Sequence, residues 1–198
     1  MEIDLDGIDL TATSATLSGL HRTPEHPAEQ SLRGGTQTRG LLFDKVDPAI
    51  TVLKQSIERS ISTALAALPD DPAHPFLRRA TGGFAFAGSW SVRLRSAGHH
   101  IRHINPAGWL SSAAHIDLPP EVDGSGQAGA LTFGVPESAL GLGLDLDLSP
   151  RRVIALRAGK LVLLPSYFWH GTVPVISDNP RLTVAFDAVP VDSTATEV

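Results

Sequence analysis

The stretch Gly98–Pro106, GHHIRHINP, puts His99, His100 and His103, three of the chain's eight histidines, within five residues, with a Pro/Gly turn just beyond. His170 closes the apolar run LVLLPSYFWH, again ahead of a turn-like segment. Two neutral imidazoles offered from neighbouring strand ends can hold a first-row metal, and imidazole suits iron, zinc, copper or nickel. On spacing alone they could also be two unrelated polar histidines. His21, His26 and His74 lie in loop-like, proline-containing stretches where surface or structural roles are expected. The chain has no cysteine, so a metal site must draw on His, Asp, Glu, Asn or the backbone, and thiol nucleophiles are excluded.

Eleven residues after His170 comes the strand-like RLTVAFDAV. Alternation puts Arg181 and Thr183 on one face, with Ala185 and Asp187 continuing it. A guanidinium and a hydroxyl turned together into a barrel need a carboxylate, because an unpaired buried charge is costly. That carboxylate could belong to a ligand or to one of the protein's own Asp or Glu residues.

The elements that must position these groups are mostly strands. FAFAGSWSVRLRS alternates, with Phe84, Phe86, Trp90, Val92 and Leu94 on one side and Arg93 and Arg95 on the other. WLSSAAHIDL, GALTFGV, RVIALRAG, KLVLLPSYFW and RLTVAFDAV are further candidates, and ATLSGL is a possible first strand. One helix is convincing: Asp47 is a good N-cap, Pro48 suits the first helical position, and Ile50, Leu53, Ile57, Ile61, Leu65 and Leu68 recur at helical spacing. Six or more closely spaced strands after one helix predict an antiparallel sandwich or barrel with a helix packed outside.

With 198 residues, one domain is expected. A net charge of −5 gives no general reason to expect nucleic acid or an anionic membrane as partner, and the pairs Arg78-Arg79 and Arg151-Arg152 read as solvated faces. The acidic start MEIDLDGIDL lacks the pattern of a secretory signal, and no apolar run is long enough to span a bilayer, so a cytoplasmic location is expected.

His103-x-Asn105, His170 and Arg181-x-Thr183 on a β-rich chain resemble the motif of the Fe(II)- and 2-oxoglutarate-dependent oxygenases: His-x-Asp/Glu, a distant His, and Arg-x-Ser/Thr about ten residues further on. SLRGGTQT, HPFLRR, GSWSVRL, NPAGWLSSA, LLPSYFWHGTVP and PRLTVAFD are similar to a bacterial group of these oxygenases, some of which follow tetratricopeptide repeats. The likeness spans residues 25–190, between an N-terminal segment, 1–24, and a flexible tail, 191–198. It implies a double-stranded β-helix (a jelly-roll or cupin-like barrel) with one or more N-terminal helices. It also implies Fe(II) as metal, 2-oxoglutarate as cosubstrate, and hydroxylation of an unactivated C–H in a small molecule or peptide side chain.

Carried onto this sequence, the resemblance makes His103, Asn105 and His170 the metal positions, with Arg181 and Thr183 holding the distal carboxylate of 2-oxoglutarate. Ser111, Ala113, His115 and Asp117 share a face by alternation, so His115 and Ser111 join the cosubstrate set if that face is inward. His100, Arg93, Arg95, Trp109 and Trp169 are candidate substrate or supporting contacts, Tyr167 a candidate pocket wall, and Gln30, Arg33 and Thr36 candidates for a mobile lid. Asn105 departs from the motif. It could coordinate through its amide oxygen, leave the position to water or halide, be replaced by a carboxylate elsewhere, or end iron binding. Asp117, in the literal His-x-Asp of HID, is read as a decoy. Two alternatives stay open: a catalytically silent barrel that binds a ligand or protein, and a histidine-based metal enzyme that does not use 2-oxoglutarate. Oligomeric state is open, a homodimer included.

Overall fold

Asp47 opens the long helix as its sequence predicts. Its carboxylate accepts from the backbone N–H groups of Ala49 and Ile50, and Pro48 occupies the first turn. The computed structural model describes residues 1–22, 31–136 and 149–192. Two helices, α1 (Leu10–Leu20) and α2 (Pro48–Ala66), and nine strands are described: β1 (Glu2–Asp4), β2 (Leu32–Gln37), β3 (Gly82–His100), β4 (Leu110–Asp117), β5 (Leu131–Phe133), β6 (Arg152–Ile154), β7 (Lys160–Pro165), β8 (His170–Thr172) and β9 (Arg181–Asp192).

The strands form two antiparallel sheets. One has six strands in the order β1-β7-β4-β9-β3-β2, the other three in the order β6-β5-β8. Ile50, Leu53, Ile57 and Ile61 of α2, with Leu17 of α1, pack on Leu110, Ala114, Leu161, Leu182, Val184 and Phe186 from one face of the large sheet. Removing one such buried Leu or Ile side chain costs about 2–5 kcal/mol. A second cluster, including Val162 and Leu164 from the opposite face of β7 with Leu131, Phe133 and Ile154, lies between the sheets.

Several elements differ from the sequence reading. ATLSGL lies in helix α1, not a strand. Asp9 caps it through Ala12 N at 3.0 Å, and Leu17 is buried against α2 and the sheet. The polar SLRGGTQT stretch contains strand β2, and His170 opens the separate strand β8 in the small sheet. Two β-bulges reverse faces that alternation had joined. Phe86 pairs with Ala188 but Gly88 pairs with Asp187, so Phe84 and Phe86 face the helices while Trp90 and Val92 face the cavity. His115 pairs with Thr183 but Asp117 pairs with Leu182, so these two leave β4 on opposite faces. The tail from 193 onward, His26 and Gln30 lie outside the described residues.

Candidate active site

β3 carries the chain to His100, and the loop after it docks on the small sheet. His103 N donates to His170 O at 2.9 Å and His170 N to His103 O at 3.0 Å, bringing the ring centroids to 4.2 Å. Each Nδ1 is anchored on the carbonyl two residues earlier: His103 on Ile101 O and His170 on Phe168 O, both at 2.8 Å. A carbonyl only accepts, so Nδ1 carries the proton and Nε2 keeps its lone pair, the tautomer a metal requires. Burial, reinforced by His103, lowers the His170 pKa to about 4, so the ring is neutral at neutral pH. His100 stands beside the pair, its ring centroid 5.9 Å from that of His103, and shares a hydrogen bond with Ser31 Oγ at 2.9 Å. Burial, with the charges of its neighbours, lowers its pKa to about 3.

Asn105 is fixed through backbone and side chain. Its N–H donates to Ser166 O at 2.9 Å. Its Nδ2 donates to Ser111 Oγ and to Asp187 Oδ1, each at 3.0 Å. Ser111 Oγ donates to the same Asp187 oxygen at 2.6 Å and lies 2.9 Å from Ser166 Oγ. Burial raises the Asp187 carboxyl above its ordinary value, opposed by the bonds from Ser111 and Asn105 and by the field of His103.

The other end is built on β9 and β4. Arg181 is buried and donates from Nη1 to Gly129 O at 2.8 Å, while its Nε has no partner among the described residues. Gly129 has φ +67°, and a Cβ there would meet Val122 Cγ2 at 2.8 Å, so a side chain would disturb this contact. The Thr183 hydroxyl and both ring nitrogens of the fully buried His115 are also without partners among the described residues. Burial lowers the Arg181 pKa to about 10, which leaves it cationic at neutral pH. Burial and then the Arg181 charge hold His115 neutral. Among the described residues no carboxylate pairs with Arg181, so the alternative of an internal salt bridge is not realised there.

One cavity of about 490 Å³ joins the two ends, with His103, His170, Asn105, Asp187, Arg181 and Thr183 all on its wall. A guanidinium and a hydroxyl suit a carboxylate, and two imidazoles protonated on Nδ1, with Ser31 Oγ 3.4 Å from the His103 Nε2, present Nε2 lone pairs of the kind a first-row metal takes. The residues present therefore fit both Fe(II) and 2-oxoglutarate.

His100 lines this cavity, but four other candidate contacts do not. Trp109 is buried in the core under the helices, with its Nε1 donating to Phe76 O. Arg93 acts on His21 on the outer side of β3, and Arg95 is exposed. Trp169 is half-buried outside the cavity wall, and Tyr167 is exposed against Phe168. Ser111 engages Asn105 and Asp187 rather than the Arg181 end. Arg33 and Thr36 belong to β2, and Thr36 is buried with its hydroxyl on His21, which is not the arrangement of a mobile lid. The aromatic wall is Trp90, hidden from the sequence reading by the bulge in β3. Asp187 was visible as a continuation of the Arg181 face, but nothing local revealed its bond to Asn105.

Two facing antiparallel sheets, helices outside the larger one and a polar cavity between them define a double-stranded β-helix. Solved structures share this fold at low identity. The viral collagen prolyl hydroxylase vCPH from Paramecium Bursaria Chlorella virus-1, in its 2OG complex, matches with a TM-score of 0.56 and 11% identity over 96% of both chains. HygX from Streptomyces hygroscopicus, with nickel and 2-oxoglutarate bound, matches with a TM-score of 0.58 and 12% identity over 96% of this chain and 82% of that one. A Pseudomonas putida prolyl-4-hydroxylase matches with a TM-score of 0.55 and 13% identity over 96% and 92%. No curated protein matches the sequence. The family model "Putative 2OG-Fe(II) oxygenase" matches residues 88–187, just over half of the chain. The chain belongs to this family, whose members are enzymes that use Fe(II) and 2-oxoglutarate. No described helix is long and apolar enough to cross a membrane.

Proposed function

We propose that this protein is an Fe(II)- and 2-oxoglutarate-dependent hydroxylase in which His103, His170 and Asn105 hold the metal and Arg181 and Thr183 hold the far carboxylate of 2-oxoglutarate. The observation that carries this reading is the pair of unmet polar groups on the cavity wall, Arg181 Nε and Thr183 Oγ1, at one end of the cavity whose other end holds the histidine pair; the unmet nitrogens of His115 belong to the residue that pairs with Thr183. Buried polar atoms in native proteins are rarely left without partners, and these gather where a dicarboxylate would reach from the metal.

When bound, the iron and the keto-acid supply an oxidant for an unactivated C–H, with decarboxylation to succinate. The chain's own part is positioning. Ile101 O and Phe168 O set the tautomer and plane of the two imidazoles. Arg181 orients the carboxylate as a charged fork, and Thr183 adds a hydroxyl donor. His115 is neutral, its ring nitrogens have no partner among the described residues, and as the residue opposite Thr183 it would offer a donor or acceptor from behind that hydroxyl. Trp90, Val92 and Leu131 supply apolar wall, limiting water at the reacting end. The substrate is a small molecule or a peptide side chain that fits between these walls.

The test is succinate formation from 2-oxoglutarate without added substrate, under Fe(II), ascorbate and oxygen, alongside metal analysis. Slow uncoupled succinate production that needs iron is expected. Protein that binds no metal and forms no succinate would sink the reading and favour the silent barrel. Metal binding with no effect of 2-oxoglutarate would favour a histidine-based metal enzyme of another kind.

A further inference from the structure

The family motif has a carboxylate two residues after its first histidine, where this chain has Asn105. We propose that Asp187 supplies the missing charge through Asn105: the carboxylate fixes and polarises the amide so that Asn105 presents its Oδ1 to the metal. This inference rests on the metal site proposed above.

Both amide hydrogens of Asn105 are committed on one side, to Ser111 Oγ and Asp187 Oδ1 at 3.0 Å each. An ionised carboxylate only accepts, so the –NH₂ arm must face it and the C=O arm must face away. Oδ1 has no partner among the described residues, and Asn105 lines the cavity with His103 and His170. The backbone is held as firmly: Asn105 N donates to Ser166 O, and Gly108 N closes the turn on Asn105 O at 3.1 Å.

A neutral amide oxygen is a weak ligand for Fe(II), but hydrogen bonds to an anion from the amide's own N–H groups push electron density toward its oxygen. Ser111 completes the clamp by donating to the same carboxylate oxygen at 2.6 Å. Asp187 is thus a positioning residue, one hydrogen bond removed from the metal. Partners that orient a metal ligand are typically worth 10–100-fold in affinity.

The experiment is a double-mutant cycle on the full chain, read as Mn(II) affinity from the loss of the free-ion electron paramagnetic resonance signal and repeated with Fe(II) under anaerobic conditions. Asp187→Asn is expected to weaken metal binding about 10–100-fold, and Asn105→Ala by at least as much. Because one residue acts through the other, the double variant N105A/D187N should bind no more weakly than N105A alone. The exchange N105D/D187N should restore wild-type affinity or exceed it. Asn105→Asp alone should gain less, since two carboxylates would then face each other and one would hold a proton. Circular dichroism melting of each metal-free variant tests folding, and Ser111→Ala, which loosens the clamp without removing charge, gives a second and smaller loss. Wild-type affinity in D187N, or loss in D187N with none in N105A, overturns the relay, the latter because Asp187 would then bind the metal itself. Absence of metal binding in the wild-type protein overturns the underlying site as well, which separates the two failures.

Discussion

The two ends of the cavity are built on opposite principles. At the histidine end the chain meets its own hydrogen-bonding needs: both Nδ1 atoms sit on carbonyls, and Asn105, Ser111, Ser166 and Asp187 form a connected network. At the Arg181 end Arg181 Nε and Thr183 Oγ1 have no partner among the described residues, and neither do the ring nitrogens of His115, which pairs with Thr183. A satisfied network holds a geometry before anything binds. Unmet groups destabilise the empty protein and are repaid when a ligand arrives. Substitutions at the first end should therefore remove metal and affect the fold, whereas those at the second should remove cosubstrate and spare it.

The largest effect that sharpens this contrast comes from the metal ligands. His103→Ala or His170→Ala should lower Mn(II) or Fe(II) affinity by more than the roughly 100-fold associated with losing an orienting partner. Calorimetric titration measures it, and near-normal metal binding in either variant would remove that histidine from the site. Chelation of the wild-type protein should lower its melting temperature, since metal binds only the folded arrangement.

Next in size is Arg181→Ala. A hydrogen bond to a charged group is worth about 1.5–3 kcal/mol, or roughly 10–150-fold in 2-oxoglutarate affinity. Metal content should stay near wild type, and the melting temperature of the protein without ligand should hold or rise, because a buried cation lacking an anionic partner is lost. Loss of metal together with cosubstrate would erase the distinction between the two ends.

How far the sequence revealed these ends follows the same division. The Arg181 end was legible because alternation along one regular strand, β9, sets which residues share a face. The single convincing helix was legible from Asp47, Pro48 and the spacing of Ile50, Leu53, Ile57 and Ile61. The histidine end was legible only in part. His103 and His170 stood out as residue types, but the Asn105–Asp187 contact joins positions 82 residues apart. Trp90 was assigned to the side of Phe86 because one extra residue at the β3 bulge leaves no mark in a pattern of period two. α1 was missed because its Thr, Ser and Gly content hid a short apolar stripe that only the contact of Leu17 with the core makes clear.

A pH titration probes a property the two ends share. Burial pulls His170 to a pKa of about 4 and holds His115 well below the ordinary histidine value, and His21, bonded to Thr36 and Ser91, is also lowered to about 4. An unfolded histidine titrates near 6.5, so between that pH and about 4 the unfolded chain binds protons that the native one does not. Stability should be complete above about pH 6.5 and fall as pH drops through this window, by up to about 1.4 kcal/mol per pH unit for each buried histidine. Urea midpoints measured in chelator from pH 7 to 4 follow this directly. A flat profile down to pH 5 would mean that these imidazoles are hydrated and charged.

The smallest expected effect belongs to Asp117, the one literal His-x-Asp in the chain. His115 and Asp117 would share a face on an unbroken strand. The bulge between them leaves His115 opposite Thr183 and turns Asp117 to the side of Leu182, where its Oδ2 accepts from Ser14 Oγ of α1 at 2.8 Å. Asp117 is exposed there, and replacing one exposed hydrogen-bonding group is worth no more than about 1 kcal/mol. Asp117→Asn should leave metal and 2-oxoglutarate binding at wild-type values and move the melting temperature by only a few degrees. A large loss of metal in this variant would mean that the motif spacing outranks the register, and the bulge assignment in β4 would have to be abandoned.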